Sequence, residues 1–115
     1  MKAWPIGQVH LDITRMYVHF VLTEVFLRWI CDPEKDRLNR RNHGLPLSIG
    51  EVAIADPLAL LQPDPHQDGD RWNTIGLAAD HLLFVVHTCP DDEMVGRIVS
   101  VRKATKHERK VYENG

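Results

Sequence analysis

The chain is short of everything that marks a membrane, secreted or cofactor-bearing protein. Its two cysteines, Cys31 and Cys89, form no C-x-x-C pair, so the sequence offers no redox motif. With no signal peptide in view, a reduced cytoplasmic setting is the expectation. The apolar run from Met16 to Cys31 is broken by His19, Glu24 and Arg28, which makes it a poor membrane span. It is no secretory signal either, because the N-terminus carries little positive charge and no small-residue cleavage site follows the run. The HExxH, P-loop and glycine-rich dinucleotide fingerprints are missing. Asp64-x-His66-x-Asp68-Gly69-Asp70 imitates the start of a calcium loop, but Ile75 stands where the closing acidic ligand belongs. Turn chemistry explains that run better, and no metal or cofactor is expected.

What is present is a 115-residue chain, 43% hydrophobic and 26% charged. Those values fit one globular domain with a modest core. The net charge of −2 argues against a uniformly basic nucleic-acid binder, but the charge is uneven. Arg28 to Arg41 holds five cations against Asp32, Glu34 and Asp36, whereas Glu51 to Asp70 has no lysine or arginine at all. The densest cationic stretch is the last. Arg97, Arg102, Lys103, Lys106, Arg109 and Lys110 stand there against Glu108 alone. Such polarity predicts a surface that meets a polyanion, with RNA the foremost candidate.

Along the chain, Trp4-Pro5-Ile6-Gly7 is turn-like, and Met16 is a possible alternative translation start. Phe26 to Ile30 reads as a strand, with helix through Phe20 to Phe26 as the alternative. Asp32-Pro33-Glu34 opens a polar helix over Lys35 to Asn42, and Gly44 is placed to end it. Ser48-x-x-Glu51 has capping-box spacing for a short helix over Ile49 to Ala55, which Asp56-Pro57 closes. Strands are predicted over Leu58 to Gln62, Arg71 to Ala78 and Leu82 to Val86, with His87-Thr88 finishing the last. Within Arg71 to Ala78, Arg71, Asn73, Ile75 and Leu77 share one face. The final strand runs Arg97 to Lys103 and feeds a helix that Thr105-x-x-Glu108 caps. Strict alternation there places Arg97 and Arg102 on opposite faces. Short links between consecutive strands predict an antiparallel meander in an α+β fold, with helices before the sheet and one after it.

These residues resemble the BrnT toxins of type II toxin–antitoxin systems, which are related to RelE-like ribonucleases. The resemblance runs from Phe26 to Gly115 and rests on several motifs in order. They are Trp29, Asp32-Pro33-x-Lys35-x-x-x-Asn39 into His43-Gly44, Ala55-Asp56-Pro57, and Arg71-Trp72-x-Thr74-Ile75-Gly76. Leu82 to Thr88 follows, and the most specific piece is Arg97-Ile98-x-Ser100-x-Arg102-Lys103-Ala104-Thr105-x-x-Glu108-Arg109-x-x-Tyr112. The chain departs from the family pattern at Asn42, where a lysine is usual, and in the spread Trp29-Ile30-Cys31-Asp32. The resemblance divides the chain into an N-terminal extension, 1–25, and a toxin domain, 26–115. It implies a RelE-like fold, RNA cleavage that arrests growth, and a hetero-oligomer with a DNA-binding, BrnA-like antitoxin.

Cleaving RNA without a metal needs a proton acceptor for the 2′-hydroxyl, cations for the transition state and a donor to the leaving oxygen. The catalytic candidates are Arg71, His87, Arg97, Arg102, Glu108 and Tyr112. The RNA-binding candidates are Lys35, Asn39 and His43, which share one helix face, together with Lys103 and Lys106. Each has a plainer explanation. The arginines can pair with the acidic middle of the chain, His87 can be a hydrogen-bonded strand end, Glu108 a cap and Tyr112 a packed ring. The face of Lys35, Asn39 and His43 can be merely solvated. A non-catalytic RNA- or protein-binding module of the same fold is therefore the alternative function.

Overall fold

The computed structural model describes residues 28–65 and 70–115. The 1–25 extension and the strand-or-helix alternative before Arg28 lie outside the described residues. The elements are β1 (Arg28–Ile30), α1 (Pro33–His43), α2 (Ile49–Ile54), β2 (Leu60–Pro63), β3 (Trp72–Ala78), β4 (His81–His87), β5 (Val95–Lys103) and α3 (Lys106–Asn114). The class is α+β, as expected.

The local signals act at α1 and α3 as the sequence implies. Asp32 accepts the Lys35 amide at 3.0 Å, Pro33 occupies the first turn, and Gly44 closes α1 in the left-handed region at φ 71°. At α3 the Thr105 hydroxyl accepts the Glu108 amide, and the Glu108 carboxylate accepts the Thr105 amide. At α2 the capping-box expectation fails. Ser48 already has helical backbone angles, and its side chain makes no capping bond. The turn is entered earlier through tight bonds, Ile49 to the Pro46 carbonyl and Gly50 to Leu47, so the Ser48 hydroxyl has no free amide to cover.

The sheet order is β1-β5-β4-β3-β2. β2 to β5 form the predicted antiparallel meander, but β1 pairs parallel with β5. The sheet is therefore mixed. Two helices and three strands separate β1 from β5 in sequence, and no local pattern reports a pairing that distant.

Two cores lie on opposite faces of the sheet. On one face Leu47, Ala53, Ala78, Leu83, Val85, Ile98 and Val101 pack under α1 and α2. On the other, Leu60, Ile75 and Leu82 pack against Val111 of α3, with Phe84 and Tyr112 alongside. Gly76 allows α2 to sit directly on β3, because a Cβ there would strike the Ala53 carbonyl oxygen.

Asn39 ties α1 to the sheet. Its amide nitrogen donates to the carbonyls of Leu45 (2.8 Å) and Val101 (2.9 Å), and its oxygen accepts the Val101 amide (2.9 Å). β1 stops at the Ile30–Arg97 pair, so the side-chain amide stands where the next stretch of a neighbouring strand would be. The expected RNA-facing role of Asn39 meets this geometry. The side chain is 5% exposed and its hydrogen-bonding groups are turned inward. Replacing Asn39 with leucine orphans both Val101 backbone groups in a buried setting, at roughly 1–3 kcal/mol each. Urea unfolding of Asn39→Leu is expected to show a loss of about 3–5 kcal/mol with the m-value unchanged.

Candidate functional site

The expected separation of Arg97 and Arg102 is corrected by one residue. Val86 pairs with Ser100, but His87 pairs with Ile98, so Val99 is an extra residue on β5. This is a β-bulge, two residues opposite one. It breaks the two-residue period. Ile98 and Val101, three apart, both point into the core beneath α2, where a Cβ on Gly50 would meet both side chains. Their outer neighbours, Arg97 and Arg102, therefore emerge together on the α3 face of the sheet, with Ser100 between them.

That face is organised in rows across the strands. The first row, Leu60, Ile75, Phe84 and Arg102, lies under α3. The second is Gln62, Asn73, Val86 and Ser100. The third continues the alternation to Arg71, Thr88 and Arg97, with the Thr88 amide bonded to the Arg97 carbonyl and the Arg97 amide to the Thr88 hydroxyl. Among the described residues neither Arg71 nor Arg97 has a salt-bridge partner. By contrast, Arg37 and Arg40 on α1 are already matched by Glu34 and Asp36.

Arg102 is held differently. Its guanidinium lies 4.1 Å above the Phe84 ring and grips Glu108 with two bonds, 2.8 and 2.9 Å. The pair is partly open, since 35% of the Arg102 side chain is exposed. Burial works to raise the Glu108 pKa, but the Arg102 and Thr105 hydrogen bonds outweigh it and hold the carboxyl below its ordinary value. One turn on, Tyr112 donates to Asp56 at 2.6 Å. Partial burial and that carboxylate push the phenol up to about 12, so it stays protonated. The same Asp56 oxygen accepts the Leu77 amide at 2.8 Å. Tyr112 thus fastens α3 to the end of β3.

His87 lies on the opposite face and is fully buried. Its Nδ1 lies 2.8 Å from the Thr88 carbonyl and must carry the proton, leaving Nε2 to accept from the Thr74 hydroxyl at 2.7 Å. Trp29 meets the ring edge-on at 5.3 Å. Desolvation depresses its pKa from 6.5 to about 4, against smaller opposing contributions from Thr88 and Asp70.

The structure gathers Arg71, Arg97, Arg102, Glu108 and Tyr112 on one side of the sheet and sets His87 on the other. Lys35 and His43 are exposed on α1, which packs on the His87 side. Lys103 follows the alternation to that side too, and Lys106 is exposed on the first turn of α3. Sequence reasoning passed over Asn73. It is 6% exposed, its Oδ1 is buried without a hydrogen-bond partner, and it shares the face of Arg71. The alternation over Arg71 to Leu77 was the signal that could have found it.

Residues 31–108 match a family model described as the ribonuclease toxin BrnT of type II toxin–antitoxin systems. The 1.1 Å crystal structure of the Brucella abortus ribonuclease toxin BrnT is similar to this chain with a TM-score of 0.56 and 23% identity. It covers 70% of this chain and 99% of its own. At that identity the likeness concerns the fold. No curated protein matches the sequence.

The buried histidine makes stability depend on acid. A folded pKa below the unfolded one means that the unfolded chain takes up the proton first as pH falls. The contribution is whole above about 6.5 and is lost toward about 4. Urea titrations between those limits are expected to show wild type losing ~3 kcal/mol more than His87→Gln.

Proposed function

The chain belongs to the BrnT family of ribonuclease toxins of type II toxin–antitoxin systems, and from that premise we propose that the α3 face of its sheet binds and cleaves RNA. We assign it a RelE-like, metal-independent mechanism in the cytoplasm, restrained by a BrnA-like antitoxin. The observation that carries the reading is the pair of guanidinium groups, Arg71 and Arg97, that no carboxylate of the described residues pairs, beside the half-open Arg102. An arginine held on a sheet can donate two parallel bonds to a phosphate. Arg97 and Arg102 lie opposite Thr88 and Phe84 of β4, four residues apart across the bulge, ~13 Å along the strand. That spacing suits separate phosphates of one RNA strand better than a single phosphate.

Cleavage then follows the usual transesterification. The 2′-hydroxyl gives its proton to a carboxylate, its oxygen attacks phosphorus, and the bond from phosphorus to the 5′-oxygen breaks, that oxygen taking a proton from water and leaving a 2′,3′-cyclic phosphate. Glu108 is the proton acceptor. A carboxylate has about four lone-pair directions, and Arg102 and Thr105 fill three of them. Arg102 holds the carboxylate in place and offsets the charge that builds on phosphorus, while Arg97 holds another phosphate of the same strand. The guanidinium groups supply the positive charge that a metal would otherwise bring. Tyr112 positions α3 through Asp56. His87 and Asn39 belong to the scaffold, and Lys35, His43, Lys103 and Lys106 steer RNA from the periphery.

The burial of His87 gives the non-catalytic alternative its one specific support, since the neutral-range base sits out of reach of RNA. Incubation with single-stranded RNA in EDTA decides between them. Cleavage is expected in chelator, with Arg97→Ala and Arg71→Ala each slower by about 10²-fold. Arg97→Ala is also expected to flatten the salt dependence of RNA affinity by ~0.7 in log–log slope, the release from one phosphate contact. Tight binding with intact RNA would favour the module.

A further inference from the structure

At the end of the sheet remote from Arg71, β3 runs on past its last pairing with β2, Leu60–Ile75. The exposed edge there, together with the end of α2, encloses an open hollow of about 570 Å³. Val52, Ala55, Pro57, Leu77 and Ala79 line it, with Glu51 and Asp56 among them. Val52 is 54% exposed, Leu77 43%, and Leu58, next to Pro57, 71%. These are three of the large apolar side chains that the described surface leaves in water; two line the hollow and Leu58 follows its lining residue Pro57. A small polar ligand has little to hold here. Asp56 is engaged by the Leu58 and Leu77 amides and the Tyr112 hydroxyl. RNA is excluded by sign, because Glu51 to Asp70 has no lysine or arginine and Asp80 lies on the neighbouring hairpin turn.

We propose that this hollow is the antitoxin's docking surface, and that it takes a segment of two or three apolar side chains flanked by lysine or arginine. The proposal rests on the reading of the chain as a toxin with a DNA-binding partner. Charge complementarity selects that occupant. A protein that neutralises DNA phosphates carries a basic surface, and such a surface meets an acidic, apolar pole here and like charge at the arginine rows. Leu77 is six strand residues from Arg71, ~20 Å along β3. The antitoxin therefore grips this pole first, and its hold does not depend on the phosphate-binding arginines. Because Asp56 serves both the hollow and Tyr112, the grip also bears directly on the anchor of α3.

The test uses the full chain and the protein encoded by the adjacent reading frame. Binding and inhibition of RNA cleavage are measured for wild type, Val52→Glu, Leu58→Glu and Glu51→Lys, with circular dichroism melts to confirm folding. Leu58, the most exposed of the three, tolerates the change even if Val52→Glu does not fold. The expected result is at least a tenfold loss of antitoxin affinity in the glutamate variants and a smaller loss in Glu51→Lys. Cleavage by the free variants stays as in wild type. Unchanged inhibition of all folded variants overturns the surface and leaves the toxin reading intact. A wild-type dimer that the same substitutions dissociate would assign the hollow to a second copy of the chain and also overturn it. A wild type that neither cleaves RNA nor binds the neighbouring protein removes the toxin reading, and this proposal with it.

Discussion

One side-chain amide sets the frame for the arginine face. The outer edge of β5 runs past the end of β1, and an unpaired edge invites slippage in register. Asn39 fills the gap by pairing with both backbone groups of Val101. An amide is the side-chain copy of a peptide unit, so it substitutes for a strand with one residue. The clamp keeps Val101 facing inward. The bulge at Val99 lets Ile98 face inward too. With both held, Arg97 and Arg102 have only the other face to occupy.

The same economy governs charge. The chain carries a small net negative charge, and what matters is which cations are cancelled nearby. Two of those on α1 are matched within the helix, Arg37 by Glu34 and Arg40 by Asp36. Exposed pairs of this kind contribute little to stability, but they remove two arginines from competition for phosphate. Among the described residues of the α3 face, Arg102 of β5 is matched, and its partner Glu108 is also the cap of α3. Helix formation, the stacking of Arg102 on Phe84 and the orientation of the carboxylate are thus one arrangement. The acidic pole lies at the far end of β3, which lets one small domain present surfaces of opposite sign.

How much of this the sequence disclosed depended on the range of the interaction. The caps of α1 and α3 are local and were legible from Asp32-Pro33 and Thr105-x-x-Glu108. The strands of the meander were legible from alternation and turn residues. The parallel pairing of β1 with β5 was not, because it joins positions with most of the domain between them. The bulge was not legible either. Nothing in Arg97-Ile98-Val99-Ser100-Val101 departs from a regular strand, and only the partner β4 reveals the extra residue. At the site, the run of charge marked Arg97 and Arg102 as candidates, but strict alternation set them on opposite faces, and only the bulge brings them to the face of Arg71. The burial of His87 and Asn39 was not, since a polar residue on a regular pattern gives no sign of which neighbours will enclose it.

The most direct test follows the arginine side chains themselves. The Nε–H resonances of the full chain can be recorded while a single-stranded RNA with 2′-O-methyl groups, which cannot be cleaved, is added. The account predicts saturable shifts at Arg71 and Arg97, a smaller one at Arg102, and none at Arg37 or Arg40. Shifts confined to Arg37 and Arg40, with Arg71 and Arg97 silent, would place RNA on the helical side of the sheet and contradict it.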